Sequence, residues 1–174
     1  AVGLSARAAG QAGVAIGNSA RTGTGTECIS IGSNTGSVVS TGARNISIGA
    51  SALDANTSGA DNVSIGRDAI TAATTASNNV SIGNNTCMNL SGGNNNTVVG
   101  YGAGAGITTG ASNLVLGLQA GSTLSSGNSN VLVGAGADVN SATAASRIVL
   151  GSNAVGLVDN SLTIDPIRSA TTTN

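Results

Sequence analysis

The side chains of this 174-residue sequence that bear on chemistry are few: two cysteines, seven carboxylates, a glycine-rich run and many hydroxyls, with no histidine. A serine or thiol nucleophile needs a base within hydrogen-bond reach. Here the acidic residues are spread mostly one to a repeat, so no catalytic residue is assigned and the chain is expected not to be an enzyme. The same spread offers neither a paired carboxylate site nor the Asp-rich loops that hold calcium, so no metal site is assigned. The run GYGAGAG over 100–106 lacks the G-x-G-x-x-G order and a following helix to cap a phosphate, so no cofactor is assigned. Cys28 and Cys87 read as small apolar fillers. They are placed three to four repeats apart, about 15–20 Å, beyond the roughly 7 Å span of a disulfide, and free thiols fit assembly in a reducing compartment.

Charge excludes further classes. Arg7, Arg21, Arg44, Arg67, Arg147 and Arg168 are scattered, and the net charge is −1. Nucleic-acid binding needs a concentrated basic surface, so no nucleic-acid partner is expected. No apolar run approaches the roughly 20 residues of a membrane span, so no membrane contact is expected within this segment, which reads as a piece of something longer. Tyr101, the single aromatic residue, is expected to pack beside Gly100; the alternative is an exposed contact for a sugar or a partner.

What positions these residues is a repeat. An Asn, an aliphatic, a variable residue, an aliphatic and a Gly recur as NISIG at 45–49, NVSIG at 62–66 and 79–83, NTVVG at 96–100, NLVLG at 113–117 and NVLVG at 130–134. The closing glycines are Gly3, Gly17, Gly32, Gly49, Gly66, Gly83, Gly100, Gly117, Gly134 and Gly151, then Asp165, with gaps of 14, 15, seven of 17, and 14. Alternation over so short a run predicts a strand with one face inward. The expected core ladder is Val14, Ile16, Ile29, Ile31, Ile46, Ile48, Val63, Ile65, Val80, Ile82, Val99, Leu114, Leu116, Val131, Val133, Ile148 and Leu150. Glycine at the exit suits a positive φ or a close backbone approach.

Ordering a unit costs roughly 1–2 kcal/mol per residue, while two buried aliphatics return about 1.5–3 kcal/mol each. One coil alone fails, and stacked coils succeed. About ten coils at ~4.8 Å give a rod of about 45–50 Å. Stacking predicts an amide ladder of Asn45, Asn62, Asn79, Asn96, Asn113 and Asn130, a charge column of Glu27, Arg44 and Asp61, and a Ser/Thr stripe at one turn. The residue between the aliphatics is expected to face outward. It is apolar in the second half, as Val98, Val115, Leu132 and Val149, and this row is expected to line an oligomer axis.

The phrase NVSIG with its following Ala, and ITTGASNLVLGLQAG at 107–121, resemble the head repeats of YadA-like trimeric adhesins and related repeats of phage and large-virus fibre proteins. The resemblance covers about residues 2–165. It implies an all-β, left-handed parallel β-roll of 14–17-residue repeats, packed side by side as a homotrimer at a virion or bacterial cell surface, where the head attaches to a host-surface receptor of protein or glycan. The roll is expected over 1–160, with a last coil and exit segment over 161–174. The 17-residue period and the Ser or Val between the aliphatics depart from the best-known bacterial heads, and SLTIDPIRSATTTN at 161–174 resembles the exit of viral fibres, so a viral or phage fibre is favoured over a cell-anchored bacterial adhesin. A purely structural spacer and an ice-binding solenoid with its hydroxyl stripe are the other readings.

Overall fold

A computed structural model of the chain describes residues 1–36 and 40–165; the exit residues 166–174 lie outside them. The described residues form an all-β parallel solenoid without a helix. Its strands are β1 (Val14–Ile16), β2 (Ile29–Ile31), β3 (Ile46–Ile48), β4 (Val63–Ile65), β5 (Val80–Ile82), β6 (Thr97–Val99), β7 (Leu114–Leu116), β8 (Val131–Val133), β9 (Asp138–Val139), β10 (Ile148–Leu150), β11 (Val155–Gly156) and β12 (Leu162–Ile164). One ten-stranded sheet runs β1-β2-β3-β4-β5-β6-β7-β8-β10-β12, and β9 pairs with β11 beside it. The register is one repeat per step, Ile46 opposite Val63 and Val63 opposite Val80. Coil-to-coil bonds continue around the turns, as from Leu53 N–H to the Ala69 carbonyl at 3.0 Å and Thr57 N–H to the Thr74 carbonyl at 3.0 Å. Strands of three residues are stable here because every segment of the coil is paired, not the strand alone.

The closing glycine is required twice over. Gly83 sits at φ +133°, and a Cβ there would lie 2.7 Å from the carbonyl oxygen of Gly100 in the next coil. Column after column, glycine lets consecutive turns approach at strand spacing. The residue before the Asn also lies in the left-handed region, from Glu27 (φ 58°) through Asp61 (φ 61°) to Ser146 (φ 55°), without being glycine. These two fixed turns flank each strand, and they decide which side of the pleat faces in.

That side is the reverse of the expected one. The central residue of each strand is inside: Ala15, Val98, Val115, Leu132 and Val149 are 0% exposed, and Ser30, Ser47, Ser64 and Ser81 are buried. The predicted core ladder, Val14, Ile16, Ile29, Ile31, Ile46, Ile48, Val63, Ile65, Val80, Ile82, Val99, Leu114, Leu116, Val131, Val133, Ile148 and Leu150, points out of the coil and is half-buried or exposed. The physical reason is parity. Side chains alternate with period two, so turn geometry that places one residue inside sends both its neighbours outside.

The interior is thin and is closed from the opposite wall by Ala52, Ala69, Ala103, Ala120, Ala137 and Ala154, each 0% exposed. Over the five coils with strand centres 47 to 115, its volume is traded between two columns. Where the strand centre is Ser47, Ser64 or Ser81, the residue four past the closing glycine is Leu53, Ile70 or Cys87, all buried. Where the centre grows to Val98 or Val115, that residue shrinks to Gly104 or Gly121. A Cβ at Gly104 would lie 3.1 Å from Val98 Cγ1 and 3.0 Å from Ile107 Cδ1, and one at Gly121 would lie 3.1 Å from Val115 Cγ1. Backbone conformation does not call for glycine there, since Leu53, Ile70 and Cys87 hold φ of 52°, 50° and 47°. Packing density does.

Gly104→Ile is therefore expected to destabilise the chain by about 1–3 kcal/mol through overpacking. Adding Val98→Ser and Ile107→Ala, which transplants the Ser64, Ile70, Ala73 set, is expected to recover most of that loss in urea unfolding. Equal stability of the single and triple variants would contradict the exchange.

Candidate functional site

The outward pairs of the ten-stranded sheet form one continuous aliphatic face. Val14, Ile16, Ile82 and Ile148 are 38–42% exposed, Leu162 60% and Ile164 43%. Across β1–β8, β10 and β12, Thr97 is the one polar side chain among the outward pairs. Nine strand steps of about 4.8 Å and a spacing of about 7 Å between the two columns give a stripe of roughly 300 Å² in projection. No charge interrupts it. The largest apolar patch of a typical monomer is about 300–600 Å² and is often functional. The row expected at an oligomer axis, Val98, Val115, Leu132 and Val149, is wholly buried within one chain and cannot touch a partner.

Behind this face runs the amide ladder that fixes its register. Asn62 Nδ2 donates to Asn45 Oδ1 at 3.0 Å, Asn79 to Asn62 at 3.1 Å, Asn96 to Asn79 at 3.1 Å, Asn113 to Asn96 at 3.0 Å and Asn130 to Asn113 at 3.0 Å. Each Nδ2 also crosses the coil, from Asn45 to the Gly59 carbonyl at 2.8 Å and from Asn96 to the Gly110 carbonyl at 2.9 Å. Each Oδ1 accepts a second bond from the backbone N–H of the next Asn, as from Asn79 to Asn62 at 3.1 Å. Buried amides at 0–6% exposure are thus satisfied on both ends. Cys28 starts the column, with Sγ 3.4 Å from the Gly42 carbonyl that an Asn would reach. Cys28 and Cys87 are both free and buried, and burial pushes the Cys87 thiol up to about 12.

The ladder ends on Arg147, whose role has no signal in the repeat beyond its place in the Asn column. Its N–H donates to Asn130 Oδ1 at 3.1 Å. Its buried guanidinium reaches Asp159 Oδ1 at 2.6 Å, Asn140 Oδ1 at 2.5 Å and the Gly156 carbonyl at 2.7 Å. The Ala145 N–H and then Arg147 hold the Asp159 carboxyl below its ordinary value of 3.8. In the charge column Arg44 grips Asp61 with two bonds of 2.6 and 2.8 Å and lowers its pKa, while both remain in solvent. The hydroxyl stripe bonds along the stack while staying at the surface: Thr57 Oγ1 donates to the Thr74 carbonyl at 2.7 Å and Ser91 Oγ to the Thr108 carbonyl at 3.2 Å. Tyr101 is 52% exposed, so its ring does not fill the space beside Gly100.

No protein-family model, curated protein or solved structure matches this chain.

Asn79→Ala is expected to lower stability by about 2–4 kcal/mol, because Asn62 Oδ1, Asn96 and the Gly93 carbonyl each lose a buried partner; equilibrium unfolding measures it. A carboxyl held low in the folded state stabilises above its unfolded pKa and ceases to do so as pH falls through its folded one. The protection factor of the Ala145 amide, its exchange rate relative to the unfolded chain at the same pH, is therefore expected to fall below about pH 3.8. In Asp159→Asn that acid limb should be flat, and an unchanged limb would remove Asp159 from the cap.

Proposed function

We propose that this chain is a segment of a homotrimeric surface fibre, a rigid attachment head in which three copies pack their aliphatic faces together and present their turns outward. The observation that carries this reading is the apolar stripe of outward strand residues, broken only at Thr97, on a chain whose own interior is already filled. Burying half-exposed aliphatics is worth about 25 cal/mol per Å², and the stripe is repetitive and uncharged. A second copy of itself fits such a surface along its whole length, which a compact partner would not. The left-handed winding and side-by-side threefold packing belong to this reading through the resemblance of NVSIG and ITTGASNLVLGLQAG to trimeric adhesin and fibre heads. A virion or phage fibre remains favoured over a bacterial adhesin, supported by two buried free thiols.

The attachment role follows from the form of the rod. Three copies raise avidity for weakly held surface receptors without a deep pocket. Ice binding draws less support, because hydroxyls of the Ser/Thr stripe donate to backbone carbonyls of the next coil instead of standing free in a regular outward array.

Sedimentation equilibrium is expected to give three chains per particle. Ile65→Glu combined with Leu116→Glu places carboxylates in the stripe without touching the interior, and should yield monomers that keep the β-type circular dichroism spectrum. A monomeric wild type, or a double variant that stays trimeric, would sink the proposal.

A further inference from the structure

The turn that follows the outer strand carries a shallow, open groove of about 500 Å³ spread over four coils, lined by Asn85, Tyr101, Gly102, Gln119, Ser122 and Gly136, together with Ala105. We infer that this groove is a binding site for a neutral saccharide, with the Tyr101 ring as the stacking platform and the Asn85 and Gln119 amides as its hydrogen-bonding groups. The inference rests on the attachment reading and names the receptor chemistry that this face would take.

The groove exists because two side chains are missing where the backbone would accept them. Two residues past each closing glycine the chain is left-handed throughout: Ser51, Asp68, Asn85, Gln119 and Asn153 take φ of 53–58° with full side chains, whereas Gly102 and Gly136 take 64° and 66°. A Cβ at Gly102 would only touch Gln119 Cγ at 3.5 Å. Glycine is thus not demanded by conformation or space at Gly102, and its effect is to leave an opening between Asn85 and Gln119. The chain's one aromatic residue, Tyr101, lines the same groove and is half exposed.

The chemistry of the lining selects the ligand. It holds no charged side chain, so neither a nucleic acid nor a sulfated or carboxylated polymer finds a counter-charge in it. A peptide adding as a strand needs free backbone groups, but the Gly102, Gln119 and Gly136 N–H groups are donated to Asn84, Tyr101 and Leu118 carbonyls at 2.8–2.9 Å. Among the described residues, the side-chain amides of Asn85 and Gln119 have no hydrogen-bond partner, and each offers paired donors and an acceptor to vicinal hydroxyls. An exposed aromatic face with amides beside it matches a sugar ring, which has an apolar C–H face and a polar rim. Leu118, 53% exposed in the coil after Tyr101, extends the apolar surface.

Because Tyr101 is the only aromatic residue, its ring protons and emission report on the groove without labelling. The trimer is titrated with lactose, maltose, cellobiose and N,N′-diacetylchitobiose, and with sialyllactose as a charged control. At least one neutral disaccharide is expected to shift the Tyr101 ring resonances saturably, and more tightly than sialyllactose. Gly102→Asn, which copies Asn85 one coil on, is expected to weaken that binding about tenfold or more by filling the opening, and Gln119→Ala to weaken it by a similar amount. Silence from all four neutral probes, or undiminished binding by Gly102→Asn, overturns the inference. Adherence of the same wild-type and Gly102→Asn trimers to glycosylated cells separates the two readings. Equal adherence overturns the groove and leaves attachment standing, whereas saccharide binding without adherence by either protein overturns attachment and leaves the groove.

Discussion

Everything in this molecule depends on the distance between consecutive coils. At strand spacing each turn of the chain lies against the backbone of the next, and only a residue without a Cβ can stand at the closing position, where a methyl at Gly83 would press on the Gly100 carbonyl. That approach lets three-residue strands pair in register, lets the Asn amides bridge neighbouring coils, and lets the turns donate to one another all the way round. Stability is therefore shared along the stack, as in other solenoids, and a lone coil has none.

A coil so flat encloses little volume, and its interior is built from small parts. One residue per strand enters, opposed by a row of alanines, with the remaining space divided between the strand centre and the residue four past the glycine. Ser64 with Ile70 and Val98 with Gly104 are two solutions to one packing problem. With the inside already full, the two aliphatics that flank each strand centre are left on the outer surface. The stripe they make and the thinness of the core are one fact seen from two sides, which is why the proposed trimer is tied to the fold and not added to it.

The repeat made the architecture legible, because equal intervals between Asn-aliphatic-x-aliphatic-Gly phrases have few interpretations other than stacked coils. The glycine column and the Asn column could be assigned from spacing, since both act on the adjacent coil. The facing of the strands could not. Alternation in Ile-Ser-Ile says that one set is in and the other out, and bulk suggests which; that inference assumes a chain that folds around its own largest residues. Compensation between Ser and Leu or Ile, and between Val and Gly, was the signal in the sequence that pointed the other way. Arg147 as the end of the amide ladder, held by Asp159 and Asn140, was hidden because the partners lie 12 and 7 residues away in turns of irregular length.

By itself, the sequence determined the period, the parallel stacking, and the residue types each column must have, because these follow from strand spacing and from what can follow itself every 17 residues. Only the tertiary structure decided which face of the pleat is inside and how the Tyr101 turn opens. Both are set by left-handed backbone at residues such as Asp61, Ile70 and Asn85, a conformation that Asp and Asn tolerate, that a β-branched Ile disfavours, and that the pairing of neighbouring coils imposes.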